Sequence, residues 1–177
     1  MASSSTNKQP ALIDRPLFNV ISLGDAAALS TAANLRTPLP AGLQELVDPG
    51  TDGCFIDSVT VVAPEASLTV SKVVLFASRI TTTSGLNVSN CFPIGMVAVN
   101  SSAVGNRANV PLLPLSVPVP NLAAAATTTA AFPSETEKKN TGLLLPGDWR
   151  IYAGVDVVLQ SGLGPSQVLV VVQGGYY

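Results

Sequence analysis

From residue 54 onward the apolar residues come in short runs, and most runs are closed by glycine, proline or asparagine. The runs at 55–62, 94–99, 149–159 and 168–173 are rich in valine and isoleucine. Runs of about four to eight β-branched residues between turn signals predict strands, and their length argues against helices. The turn signals are explicit: Asp48-Pro49-Gly50-Thr51-Asp52-Gly53, Pro64-Glu65, Pro146-Gly147-Asp148 and Ser161-Gly162-Leu163-Gly164-Pro165. Polar stretches at 81–90 and 100–109 predict loops. Short strands at fairly regular spacing predict an all-β chain, an antiparallel β-sandwich or jelly roll. No repeat at a fixed period is present, so a solenoid or propeller is not expected.

The run at 68–80 carries apolar residues on both faces. Leu68, Val70, Val74, Phe76 and Ile80 share one, and Val73, Leu75 and Ala77 load the other. Such a strand belongs inside a sandwich or against another subunit.

The first 47 residues look different and predict an N-terminal arm with a short helical segment, ahead of a sandwich domain at 48–177. The first ten residues have no periodicity. Leu12, Ile13, Arg15, Pro16, Leu17 and Phe18 then gather apolar anchors around a proline, which favours extended backbone. These six are the candidate partner contacts, because an extended arm orders best against a neighbour. The alanine-rich stretch 25–35 predicts a short helix stopped at Pro38, and 42–47 adds one more helical turn in this reading. Prolines at 111, 114, 118 and 120 give either an irregular edge crossing or a second interaction arm. The Ala/Thr-rich 122–132 is strand or loop, and the charges at 135–139 suit a solvated loop tip.

Composition narrows the function. Charged residues are 11% of the 177, where ordinary soluble domains have about 25%. Hydrophobic residues are 47%, and the mean hydropathy is +0.42. Nine basic and eleven acidic side chains cannot cover a domain-sized surface. Covering partners are therefore expected, in a homo-oligomer (a trimer is one form) or against other proteins. The apolar runs are too short for a spanning helix, so no membrane association is expected. The polar first ten residues lack an apolar signal segment, and synthesis in a host cytoplasm is expected. Net charge is −2 and the basic residues are scattered, which argues against direct nucleic-acid binding. Cys54 and Cys91 flank apolar residues and are expected as two buried thiols.

Catalysis has little to draw on. There is no histidine, which removes the commonest general base, the commonest zinc ligand and every Ser-His or Cys-His pair. Ser5-Thr6-Asn7-Lys8 has the bare S-x-x-K spacing but lies in a polar tail. Carboxylate pairs exist, yet a sugar cleft wants aromatic platforms, and aromatics are 5% with one tryptophan. The acids at 48, 52 and 57 miss the calcium-loop spacing, and no phosphate-binding glycine motif is present. Neither enzyme activity nor a cofactor or metal is expected.

Three segments carry a resemblance. They are Gly50-Thr51-Asp52-Gly53-Cys54-Phe55-Ile56-Asp57-Ser58-Val59, Ser71-Lys72-Val73-Val74-Leu75-Phe76, and Leu144-Leu145-Pro146-Gly147-Asp148-Trp149-Arg150 with a last strand ending Gly174-Gly175-Tyr176. In outline, residues 48–177 resemble small virion-associated proteins of tailed bacteriophages and prophages. The insert at 100–142 lies outside the likeness. The proline-glycine turn differs in order from the LP-x-G-W form of that group. The resemblance implies a structural protein of the virion. Its first form is a capsid decoration or cement protein, clamping major capsid protein or other virion proteins through arm and sheet contacts. A tail, connector or fibre component is the alternative, including a module that binds host glycans.

Overall fold

A computed structural model describes residues 14–24, 42–69, 71–87, 89–99, 101–110, 142–161 and 164–177. The strands are β1 (Arg15–Leu23), β2 (Gln44–Val47), β3 (Cys54–Ala63), β4 (Lys72–Ser78), β5 (Cys91–Ala98), β6 (Asn106–Asn109), β7 (Leu143–Leu145), β8 (Arg150–Val155), β9 (Gln160–Ser161), β10 (Gly164–Pro165) and β11 (Val168–Tyr176). They form two packed antiparallel sheets and one small hairpin, β9–β10. Among the described residues no helix is long and apolar enough to cross a membrane.

The first sheet runs β1-β11-β3, with β6 and β7 both on the far side of β3. β6 pairs with residues 60–63 of β3 and β7 with residues 54–56, both antiparallel. They therefore lie on one line and act as a single edge strand broken in the middle. The second sheet runs β2-β8-β4-β5. With β6 and β7 taken as one, eight strands alternate between the sheets with a single hairpin, β4–β5, inside one sheet. The first sheet then holds the first, eighth, third and sixth strands, and the second holds the second, seventh, fourth and fifth. This is the jelly-roll order, two Greek keys closed into a sandwich.

Alternation builds the core. Along β3, Cys54, Ile56, Val59, Val61 and Ala63 are buried, and the residues between them are more exposed. Ile56 and Val59 are three apart, yet both point inward. The break in period is a bulge: Gln173 pairs with Ser58 and Gly174 with Ile56, which leaves Asp57 over. Across the sandwich they meet Val73, Leu75, Ile151, Ala153 and Val155 of the second sheet.

The other face of β4 is also filled. Val74 and Phe76 join Tyr152, Cys91, Met96, Leu43 and Leu86 in a second apolar cluster, with Ile80 against it. The connection 79–90 supplies Leu86 and Ile80, so the chain's own loop covers the outside of the second sheet. Tyr152 crosses this cluster, and its hydroxyl donates to the Ile80 carbonyl at 2.5 Å. The two-faced strand thus stands against its own loop on one side, and no second subunit is needed there.

Several expectations change. Residues 15–23 are sheet rather than free arm, paired with β11 from Arg15↔Tyr176 to Leu23↔Val168. The cause is an alternation, Leu17, Ile21 and Leu23 toward the core, that the proline at 16 masks in the sequence. Pro16 fits because β1 is an edge strand. Residues 44–47 are a strand rather than a helical turn, since Leu46 and Val47 reach the core while Gln44 and Glu45 pair with β8. The division expected after residue 47 therefore falls within one sandwich. The loop expected at 100–109 contains β6, whose Ala108 is buried. The predicted helix at 25–35 and the segments 111–120, 122–132 and 135–139 lie outside the described residues.

Candidate interaction surfaces

Of the six sequence-predicted contacts, Leu12 and Ile13 lie outside the described residues. The other four open β1 and separate by alternation. Leu17 is buried in the core. Arg15 lies over the Tyr176 ring with its guanidinium carbon 4.4 Å from the centroid. Pro16 is exposed at the strand edge, and Phe18 is 64% exposed on the outer side of the sheet.

Phe18 is one corner of a larger surface. The pairing Val20↔Val171↔Thr60 puts one row across the sheet, and Leu169↔Val62 belongs to the next. Phe55 and Leu144 pair at the far side. Phe18, Val20 and Leu144 are well exposed, and Leu169, Val171, Val62 and Phe55 are partly so. Among the described residues, charge on this face is confined to Arg107 at the β6 edge and Asp57 at the bulge. Apolar residues on an outer sheet face are normally interspersed with charge. The second sheet covers its apolar outer residues with the loop 79–90, and no described segment does this for the first.

A second surface lies at the end of the sandwich where β3 begins and β4 ends. Ala77 pairs with Phe92 on one side and with Ile151 on the other. Alternation continued past the strand ends brings Arg79 and Trp149 to the same side as that row. There Phe92 and Trp149 stand with ring centroids 6.2 Å apart and planes at 46°. Arg79 lies over the Trp149 ring at 5.9 Å and forms an ion pair with Asp148. Phe92 is 48% exposed, and Trp149 leans back onto the core. Sequence reasoning placed Trp149 only at the start of a predicted strand. The cluster depends on cross-strand register, which no local motif encodes.

Arg150, Glu45 and Asp48 at this end are structural. Arg150 bridges Glu45 at 2.8 Å and Asp48 at 2.7 Å. Burial opposes its charge, but the hydrogen bonds to Glu45 and Asp48 outweigh it and raise its pKa. The cysteines are unpaired and buried, on opposite sides of the second sheet. Burial, with Asp48 nearby, pushes the Cys54 thiol up to about 11, and burial pushes Cys91 up to about 12. Both are protonated at neutral pH and so are poor nucleophiles and poor metal ligands. Among the described residues, no three of Cys, Asp and Glu gather where they could hold a metal ion.

Comparison with protein-family models, with curated proteins and with solved structures returns no match.

Proposed function

We propose that this chain is a structural protein of a bacteriophage particle, a decoration or cement protein that packs against major capsid subunits or other virion proteins. The observation that carries the reading is the unequal treatment of the two sheets. Among the described residues, one outer face is closed by the chain's own loop, while the other presents a nearly uncharged surface in which Phe18, Val20, Val171 and Leu144 alternate with neutral polar residues such as Ser58, Thr60 and Gln173. Large exposed apolar patches mark interaction sites, and each Å² covered is worth about 25 cal/mol. Repetition by symmetry turns such weak contacts into a stable shell. The jelly-roll strand order supports the reading at the level of architecture, since capsid and lectin domains both use it. The very low charge supports it at the level of composition.

The test is copy number per particle, from quantitative mass spectrometry of purified virions against the major capsid protein. On the order of hundreds of copies, matched to the lattice symmetry, is the expected result. About a dozen copies would move the chain to the tail, connector or fibres. Absence from particles would end the virion reading.

A further inference from the structure

The cluster at the end of the sandwich has a chemistry that the shell role does not use. We infer that Phe92, Trp149, Arg79 and Asp148 form a shallow carbohydrate site that takes a single pyranose unit. The inference is independent of the proposed shell role, since it uses a different surface.

A pyranose has one face of C–H groups and a rim of hydroxyls. Recognition therefore needs an exposed ring beside planar groups that can take neighbouring hydroxyls in pairs. Phe92, at 48% exposed, offers the ring, and Trp149 stands beside it with centroids 6.2 Å apart and planes at 46°. The side chains of Arg79 and Asp148 are 66% and 49% exposed. Their ion pair runs from one guanidinium nitrogen to one carboxylate oxygen. A guanidinium carries five N–H donors and a carboxylate about four acceptor sites, so both keep capacity for hydroxyls. Arg79 is also set in place by the Trp149 ring beneath it, which lowers the cost of ordering it.

Other ligands fit less well. An anion would meet Asp148 directly beside the one cation. A broad protein contact would want an apolar field around the rings, and here an exposed ion pair stands against them. The nearly uncharged surface lies on the outer face of the first sheet instead.

Trp149 is the only tryptophan, so its fluorescence reports this site and no other. The full chain is titrated with methyl glycosides of hexoses, 6-deoxyhexoses and N-acetylhexosamines. One sugar class is expected to give a saturable change in emission with a Kd on the order of 1 mM. Phe92→Ala and Asp148→Asn each weaken that binding at least about tenfold, whereas Val104→Ser, on a remote exposed loop, leaves it unchanged. Circular dichroism confirms that each variant is folded. No saturable change with any glycoside would overturn the inference. So would binding that survives Phe92→Ala. If sugars fail and Phe92→Ala is lost from particles, the cluster is a protein contact and the inference is wrong.

Discussion

At the scale of single residues, the bulge on β3 shows how one missing side chain sets a register. Asp57 is the extra residue, and Gly174 stands opposite the break. A Cβ on Gly174 would lie 1.9 Å from the Phe55 carbonyl oxygen, with more backbone behind it. The neighbour cannot yield without opening the ladder. Gly174→Ala is therefore expected to cost roughly 3 kcal/mol, read from urea unfolding. Gly50 is the contrast. It has a φ of +71° and open space where a Cβ would go. Gly50→Ala is expected to cost only about 1 kcal/mol, from backbone conformation alone. Equal costs for the two would show that steric closeness at the bulge is not what matters. The Gly174-Gly175 pair is visible in the sequence, but there it signals only a strand's end. That it marks a bulge depends on Phe55, more than a hundred positions away.

At the scale of elements, the loop 79–90 acts as a lining rather than a simple connection. Leu86 is 3% exposed and seals Phe76 and Tyr152. Ser78 and Asn90 pin its ends, with the Ser78 hydroxyl donating to the Asn90 carbonyl at 2.6 Å. Leu86→Ala is expected to cost roughly 2 kcal/mol and to speed amide exchange across 79–90 more than elsewhere. Uniform exchange throughout the protein would contradict a separate lining. The double loading of β4 was legible from Val73, Val74, Leu75 and Phe76. What covers its outer side was not, because Leu86 lies between Gly85 and Asn87 in a stretch dominated by Ser, Thr and Asn. β3 was legible to within a residue at each end, whereas β8 was expected to run on to 159 and β11 to stop at 173, four residues too late and three too early. β1 was not, since Pro16 and the exposed Phe18 and Val20 obscure the inward set Leu17, Ile21 and Leu23. The interaction surfaces were less legible still. Phe18 could be named from sequence, but its partner Gln173 and the next row, Val20, Val171 and Thr60, join it only through pairing.

At the scale of the whole molecule, the position of β1 decides what the N-terminal region is for. It is the outer strand beside β11, and β11 carries Val168, Val170 and Val172 into the core. Removing residues 1–24 would strip one edge from the first sheet, uncover the β11 backbone and take Leu17 and Leu23 out of the core. The truncated chain is expected to lose cooperative unfolding and to aggregate, as seen by size exclusion and thermal denaturation. A free arm would give the opposite result, a folded body that fails only to assemble. The truncation therefore separates a structural edge from a docking appendage.

The broken edge strand has a consequence for engineering. Described pairing along β3 runs to Val110, whose N–H donates to the Val59 carbonyl, and resumes at Leu143 opposite Ile56. The two ends lie on one line, about three residues of β3 apart, or roughly 10 Å. The body thus has a port whose two lips are fixed by pairing on either side, whatever length of chain lies between them. Foreign sequence joined between those lips would start and end on the edge of the first sheet, which makes the port the natural place to mount a displayed peptide.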